Sequence, residues 1–532
     1  MSLKQSSQMR VVEAPLHMAG SKSRLFLLAV AGLSAALFLP VMGRGLIHDD
    51  FIHLYSAAYH SMREGLARAN GGPFYTPLTW LTFKLDWILW GNNPFLMAAG
   101  NLLIHIANIT LLYVFALKLW RTRVAARWSA LGFALLFPAN TWAVMWIGTR
   151  AHLLVTSFYL AALIATVRLA RAERRKTLAV ATVVLFGALS IFAKESGVTL
   201  PAAVAITLVY LRRSEGKKTL PLALIIGLFG SLTVTLVAYA LIRGRSAAIP
   251  ISFSANGWYS YAPSLSVLSE NLFRYGWRTY GLLGIMAGAM ALSQIIRGGR
   301  PCLDSFTTNS ALLSISLFAT TIAPFILLRG RSGIYTYLPG IAAALLLGAT
   351  AHALTEGQGD VATGRGGEWS NGAPLSVPLS LSPSRPVTQS PRPSLRLLAA
   401  TPVLLVVALY GLFTVVHSLK WKRRAEINTF VLSRISEQVS KPRPNTWFIL
   451  TYSEADSVHG FPDSMAHGFP CALRMLYANP TLNGSITNQA GVGKTNIQAP
   501  VIRLAYIHGE GGEGGADGAP RVIISSEESL DY

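Results

Sequence analysis

Asp49 and Asp50 stand side by side between two imidazoles, in Leu46-Ile47-His48-Asp49-Asp50-Phe51-Ile52-His53. Neighbouring carboxylates can share a proton, hold a divalent cation, or act singly as a general base. His48, Asp49 and His53 together offer nitrogen and oxygen donors suited to zinc or manganese. The ordinary alternative is that one carboxylate caps a helix and the other is solvated. Arg150 and Lys194 sit at tight turns, where a guanidinium fork or an ammonium can clamp a phosphate. Basic residues at helix ends also snorkel toward lipid headgroups, and Lys194 has Glu195 beside it for a simple ion pair. Asn101, His105 and Asn108 recur at i, i+4 and i+7, so they share one helix face. Such a stripe either bonds helix to helix or lines a wet cavity.

The elements that carry these residues are mostly apolar. The chain has 532 residues, 52% hydrophobic and only 13% charged, where a soluble protein carries about 25% charged residues. Runs of about 20 apolar residues, each long enough for a ~30 Å hydrocarbon core, recur from Leu25 to His417. They predict an all-α polytopic membrane protein with about eleven spans. The acidic pair follows the first run, Leu25–Val41, in a long loop that ends near Asn93-Pro94. Ionisable residues at a membrane surface are costly unless they have a role, so this loop is the candidate reaction centre. The first run exceeds a signal-peptide core and lacks a small-x-small cleavage site, which reads as a retained anchor.

A net charge of +22 would suggest nucleic acid in a soluble protein. Here the basic residues cluster in short connections between apolar runs, which excludes a nucleic-acid surface and favours membrane lipid. The basic tail and the loops after the second, fourth and sixth runs fall on one side, the cytoplasmic one by the positive-inside rule. The Asp49 loop and the Arg150 and Lys194 turns then face the opposite compartment. Cys302 and Cys471 are the only cysteines, too few for a disulfide framework or a thiolate metal site.

These readings divide the chain into a cytoplasmic tail (1–24), a transmembrane region (25–355) with its first loop at 44–94, and a Gly/Ser/Pro-rich disordered linker (356–395). A last span (396–417) and a soluble, extracytoplasmic tail (418–532) follow. Trp447–Tyr452 reads as a strand in that tail and Met465–Ala478 as a helix, so a small α/β region is expected. His459, Asp463 and His467 lie there too.

Three stretches follow in a familiar order: Tyr75-Thr76-Pro77-Leu78-Thr79-Trp80-Leu81-Thr82, Leu89-Trp90-Gly91-Asn92-Asn93-Pro94-Phe95, and Asn101-Leu102-Leu103-Ile104-His105-Ile106-Ala107-Asn108. They resemble the first loop and second helix of the GT-C membrane glycosyltransferases. The branch they resemble most is the transmembrane O-mannosyltransferases that carry tetratricopeptide repeats, with their bacterial relatives. Trp146-Ile147-Gly148-Thr149-Arg150 resembles that family's tryptophan–arginine turn, Ala193-Lys194-Glu195-Ser196-Gly197-Val198-Thr199-Leu200-Pro201 its lysine–glutamate–proline segment, and Tyr335-Thr336-Tyr337-Leu338-Pro339 its later tyrosine motif. The matches span roughly residues 45–345. Ile334 stands where the family has an arginine, with Arg329 and Arg331 nearby as substitutes; the repeats are missing, and the linker is foreign to the pattern.

The resemblance implies a GT-C bundle and transfer of a sugar, mannose being one candidate, from a polyprenyl-phosphate donor to a hydroxyl of a protein, lipid or glycan. It implies a base at Asp49 or Asp50, donor-phosphate contacts at Arg150, Lys194 and Arg331, and a cavity lined by Asn101, His105, Glu195, Tyr335 and Tyr337. No cofactor is required beyond the divalent metal that His48, Asp49 and His53 could hold. The Ala-, Arg- and Gly-rich composition points to a bacterial inner membrane. Two other classes stay open: a transporter or flippase of polyprenyl-linked lipid, which would place its ionisable residues near the bilayer midplane, and a non-catalytic scaffold on a GT-C-like bundle.

Overall fold

In lipid every backbone amide must be bonded within the chain, so the apolar runs close into helices. The computed structural model describes residues 21–43, 45–69, 74–136, 138–172, 175–216, 220–248, 259–296, 305–363, 393–452, 463–488, 500–507 and 521–528. Among them, six helical stretches are long and apolar enough to cross a membrane: Ser21–Val41, Pro94–Trp120, Ile147–Arg171, Lys176–Ala193, Leu222–Arg245 and Phe306–Phe325. The expected count of about eleven is therefore not reproduced. The run Ser129–Ile147 is two short helices, Arg123–Ala134 and Ala139–Met145, because Pro138 has no N–H to donate and blocks a continuous ladder. Asn140 covers the break by donating to the carbonyls of Phe133 and Ala134, both at 2.8 Å. The sixth run is a helix of only 16 residues, Leu200–Glu215.

The polar stripe of the helix Pro94–Trp120 fastens the bundle. Asn101 Nδ2 donates to the carbonyls of Ala143, Trp146 and Ile147. Asn108 Nδ2 donates to the Leu153 carbonyl at 3.0 Å, and its Oδ1 accepts from Ser157 at 2.6 Å. His105 Nδ1 pairs with the Tyr337 hydroxyl at 2.7 Å. All three are fully buried, which in a low-dielectric interior makes these bonds costly to leave unmade.

The last long helix begins at Pro393 and runs past the expected end at 417 to Gln438. It delivers the chain into a four-stranded sheet of β1 (Trp447–Tyr452), β2 (Asn483–Asn488), β3 (Val501–Ile507) and β4 (Arg521–Glu528), in the order β2-β1-β3-β4. β1 pairs parallel with β2 and β3, and β4 closes the edge antiparallel to β3. The crossover helix Phe469–Leu476 packs Phe469 and Leu473 against Phe448 and Leu450, in one apolar core with Phe51, Leu54 and Met97. The sheet region is thus seated on the first loop. Gly45, at φ +147°, lets that loop lie on the long helix, since a Cβ there would stand 2.6 Å from Thr429 Oγ1. Asn428 Nδ2 adds a hydrogen bond to the Leu46 carbonyl at 3.0 Å. Most of the expected linker, residues 364–392, and His459 lie outside the described residues.

Candidate active site

The helix Asp50–Tyr59 starts inside the acidic pair, and its first turn sends the two carboxylates apart. Asp50 is 1% exposed. Its Oδ2 accepts from the Ile47 N–H at 3.0 Å and its Oδ1 from the Gly148 N–H at 2.6 Å, so it pins the loop to the turn Ile147–Thr149. Gly148 has to be small, because a Cβ would meet His53 Cδ2 at 3.1 Å and Asp50 Oδ1 at 3.2 Å. Burial pushes the Asp50 carboxyl up to about 8; the Ile47 and Gly148 amides oppose this, the Asp49 charge adds to it, and Arg150 opposes it.

Asp49 is only partly buried and makes no side-chain cap bond. Among the described residues its carboxylate has no hydrogen-bond partner. Burial raises it above the usual carboxylate range, while His467 and then Lys194 pull it back down. The bland reading, in which one of the pair is a helix cap, is not what the structure shows. Asp50 is a latch and Asp49 is open.

Lys194 lies immediately after the helix Lys176–Ala193, 6% exposed, with its Nζ 4.1 Å from the centroid of the Phe74 ring. Among the described residues its ammonium has no hydrogen-bond or ion-pair partner. Burial lowers it, and Glu195 and Asp49 oppose that. The anticipated Lys194–Glu195 ion pair does not form: Glu195 Oε1 accepts from the Tyr75 N–H at 2.8 Å and lies 3.8 Å from Arg243. Tyr259 stands edge-on to Phe74 at 5.0 Å. Burial, with the nearby Asp49 charge second, pushes its phenol up to about 12. A carboxylate, an ammonium and two aromatic rings therefore converge from three separate segments.

Arg150 is placed differently from expectation. At 2% exposed, it ion-pairs with Asp86 at 2.5 Å, donates to Asn101 Oδ1 at 2.7 Å and to the Met97 carbonyl at 2.8 Å, and lies over the Phe83 ring. Its guanidinium is held by protein groups on all sides and offers no fork to a ligand. Arg331 is likewise engaged, bidentate to Glu270 at 2.7 and 2.6 Å and bonded to Asn271. Asn101, His105 and Tyr337 are sealed between helices and line no opening, and Tyr335, 6% exposed, stacks on Phe325 at 4.4 Å.

The expected metal ligands are not assembled. Among the described residues no three His, Cys, Asp or Glu side chains are gathered to hold an ion. His48, at φ 49°, packs between Trp146 and Trp421, whereas His53 stacks on Phe83 at 4.9 Å. Burial, with Lys194 and Arg150 adding, holds His53 down at about 4, so it stays neutral near pH 7. Asp86, Phe74 and Tyr259 were not singled out from sequence. Asp86 had a usable signal, being a lone carboxylate within the apolar run Leu85-Asp86-Trp87-Ile88-Leu89-Trp90, which demands an opposite charge.

The bundle with its seated sheet superposes on ArnT from Cupriavidus metallidurans bound to undecaprenyl phosphate. The TM-score is 0.53 at 15% identity, covering 92% of this chain and 94% of that one. Apo ArnT gives 0.50 at 14% identity over 91% and 93% of the two chains. The chain has a GT-C fold. At such identity the likeness concerns the fold of this GT-C chain and not its chemistry. By sequence, 100 residues are 36% identical to human protein O-mannosyl-transferase TMTC1 and 35% identical to its mouse counterpart. Those matches take in 19% of this chain but only 11% and 10% of the relatives, so the chain spans about a tenth of their length. No family model matches the sequence.

Proposed function

We propose that this GT-C chain is a membrane glycosyltransferase that moves a sugar from a polyprenyl-phosphate carrier to an acceptor hydroxyl. The observation that carries the reading is the nearness of Asp49 to Lys194, the charge of each acting on the other. Two oppositely charged groups, neither with a hydrogen-bond partner among the described residues, share one end of the bundle. Leaving both unpaired is costly, and a substrate that takes a proton-accepting contact from one and an anion contact from the other relieves that cost.

In the proposed step, Asp49 takes the proton of the acceptor hydroxyl as its oxygen attacks the anomeric carbon. The bond from that carbon to the phosphate oxygen breaks on the opposite face, so configuration inverts. The sugar-bearing phosphodiester leaves as a polyprenyl monophosphate with one more negative charge. Lys194, shielded from water, stabilises the charge as it develops. Phe74 lies against the ammonium and Tyr259 stands edge-on to Phe74; the two supply apolar rings of the kind that stack on sugars. Asp50 and Arg150 act at one remove, as the latch and the keystone that hold the first loop against the turn Ile147–Thr149. By the positive-inside rule the reaction faces away from the cytoplasm, and the composition suits a bacterial inner membrane. Undecaprenyl phosphate bound to the ArnT fold supports a polyprenyl carrier as the donor class.

The test is sugar release from a panel of polyprenyl-phosphate monosaccharides by the purified protein in detergent, beside Asp49→Asn. One donor should be turned over, and the variant should lose at least about 100-fold in kcat while still binding it. Full turnover by Asp49→Asn would remove the base assignment. Equal donor binding by both proteins with no turnover by either would favour a lipid-carrier transporter instead.

A further inference from the structure

The sheet region meets the first loop one residue away from the open carboxylate. Gly468 lies against His48 and Phe51 so closely that a Cβ would stand 2.5 Å from the His48 carbonyl oxygen and 2.9 Å from Phe51 Cβ. Asp49 follows His48 in the chain and His467 precedes Gly468, so the seam brings these two side chains to one place. His467 is exposed, at the end of the short helical turn Asp463–Ala466, and Asp49 is partly exposed. Among the described residues neither has a hydrogen-bond partner, and they do not touch each other.

The topology explains why this edge of the sheet faces the loop. β1 has β2 on one side and β3 on the other, both parallel to it. The chain thus leaves the carboxyl end of β1 in one direction and later returns on the opposite side. In parallel sheets that point of divergence is where a crevice forms and ligands sit. The turn carrying His467 follows the carboxyl end of β1, and the packing of Phe469 and Leu473 under the sheet holds it there.

We propose that His467 is a positioning residue for Asp49: the C-terminal sheet completes the reaction centre by holding an imidazole beside the base. The inference rests on Asp49 being that base. A positive charge at position 467 favours the ionised, proton-accepting form of Asp49. Among the described residues, the other charged or titratable groups near Asp49 are Lys194 and Tyr259 from the facing segments, and His48, Asp50 and His53 from its own loop and helix. Among the described groups that bear on Asp49, His467 rides on the sheet region and ties the base to the seating of that region.

The experiment follows Asp49 itself, in the full-length protein in detergent. Carbodiimide labels protonated carboxyls in apolar surroundings, and peptide mass spectrometry gives the labelling of Asp49 against pH. His467→Gln should move the midpoint up by about half a unit, the size expected of one charge acting through solvent. Gly468→Ala, which forces the seam apart, should move it the same way, and His467→Lys should restore the wild-type midpoint. Identical midpoints in wild type and His467→Gln overturn the proposal, as does failure of His467→Lys to restore it. With a donor that wild type turns over, the acidic limb of kcat/KM should shift in parallel, and an unshifted limb also overturns it. If labelling shifts as described but no donor is turned over, the transferase reading fails while the contact stands.

Discussion

Replacing Asp50 with Ala separates the latch from the base. The substitution removes the acceptor of two buried N–H groups, those of Ile47 and Gly148. Each orphaned donor costs about 1–3 kcal/mol, so the first loop loses roughly 2–6 kcal/mol of anchoring to the turn Ile147–Thr149. Asp49→Asn removes no hydrogen bond among the described residues and should leave stability within about 0.5 kcal/mol of wild type. Thermal unfolding in detergent reads the difference directly. Asp50→Ala should melt lower by on the order of 5 °C and open the first loop to protease, while Asp49→Asn melts with wild type yet is inactive. The pH dependence carries the same signature. Asp50 is raised to about 8 by burial, so between about pH 4 and 8 the folded state holds more of this proton than the unfolded one. Stability attributable to Asp50 is therefore greatest at the acid end, falls as pH rises through that window, and is flat above it. Asp50→Asn should lack this slope. An Asp50→Ala protein as stable as wild type, or an Asp49→Asn protein as unstable as Asp50→Ala, would refute the division of roles.

Two further substitutions test the neighbouring cations. Lys194→Met keeps the length of the side chain and its contact with Phe74 but removes the charge, so turnover should fall about 100- to 1000-fold with little change in melting, read by initial rates beside thermal unfolding. Arg150→Met strands Asp86 and the acceptors on Asn101 and Met97; losing one partner of a buried pair costs about 3–5 kcal/mol, so the variant should be recovered from membranes in low yield and melt early, whatever donor is supplied.

Much of this was legible because membrane physics writes itself into composition. Apolar runs of the right length had to be helices, and a polar stripe at helical spacing had either to bond between helices or to line a wet cavity; Asn101, His105 and Asn108 do the first. The break at Pro138 escaped a hydropathy reading, since the flanking residues remain apolar while proline interrupts the hydrogen-bond ladder. The roles of the cations were less legible still. Arg150 and Lys194 both adjoin tight turns, and nothing in their local sequence says which is bonded. The difference comes from Asp86, a residue 64 positions earlier in the chain than Arg150. A carboxylate at that site consumes one guanidinium, and Lys194 has an aromatic ring in the corresponding place.

The same reasoning explains why an acidic pair can serve one reaction without both members reacting. Successive residues at the start of a helix point about 100° apart, so Asp49 and Asp50 cannot both face the same opening. One must turn inward, and an inward carboxylate is tolerable only where amides meet it, which the turn Ile147–Thr149 provides through Gly148. Burial keeps that inward carboxyl protonated up to about pH 8, so it is neutral where Asp49 titrates; the proton affinity of Asp49 is set by its own burial, which raises it, against His467 and Lys194, which lower it. A base that must take a proton during attack yet be ionised beforehand needs opposing influences of this kind. The buried member of the pair therefore holds the loop while staying neutral, and a substitution at Asp50 acts on the reaction through loop geometry.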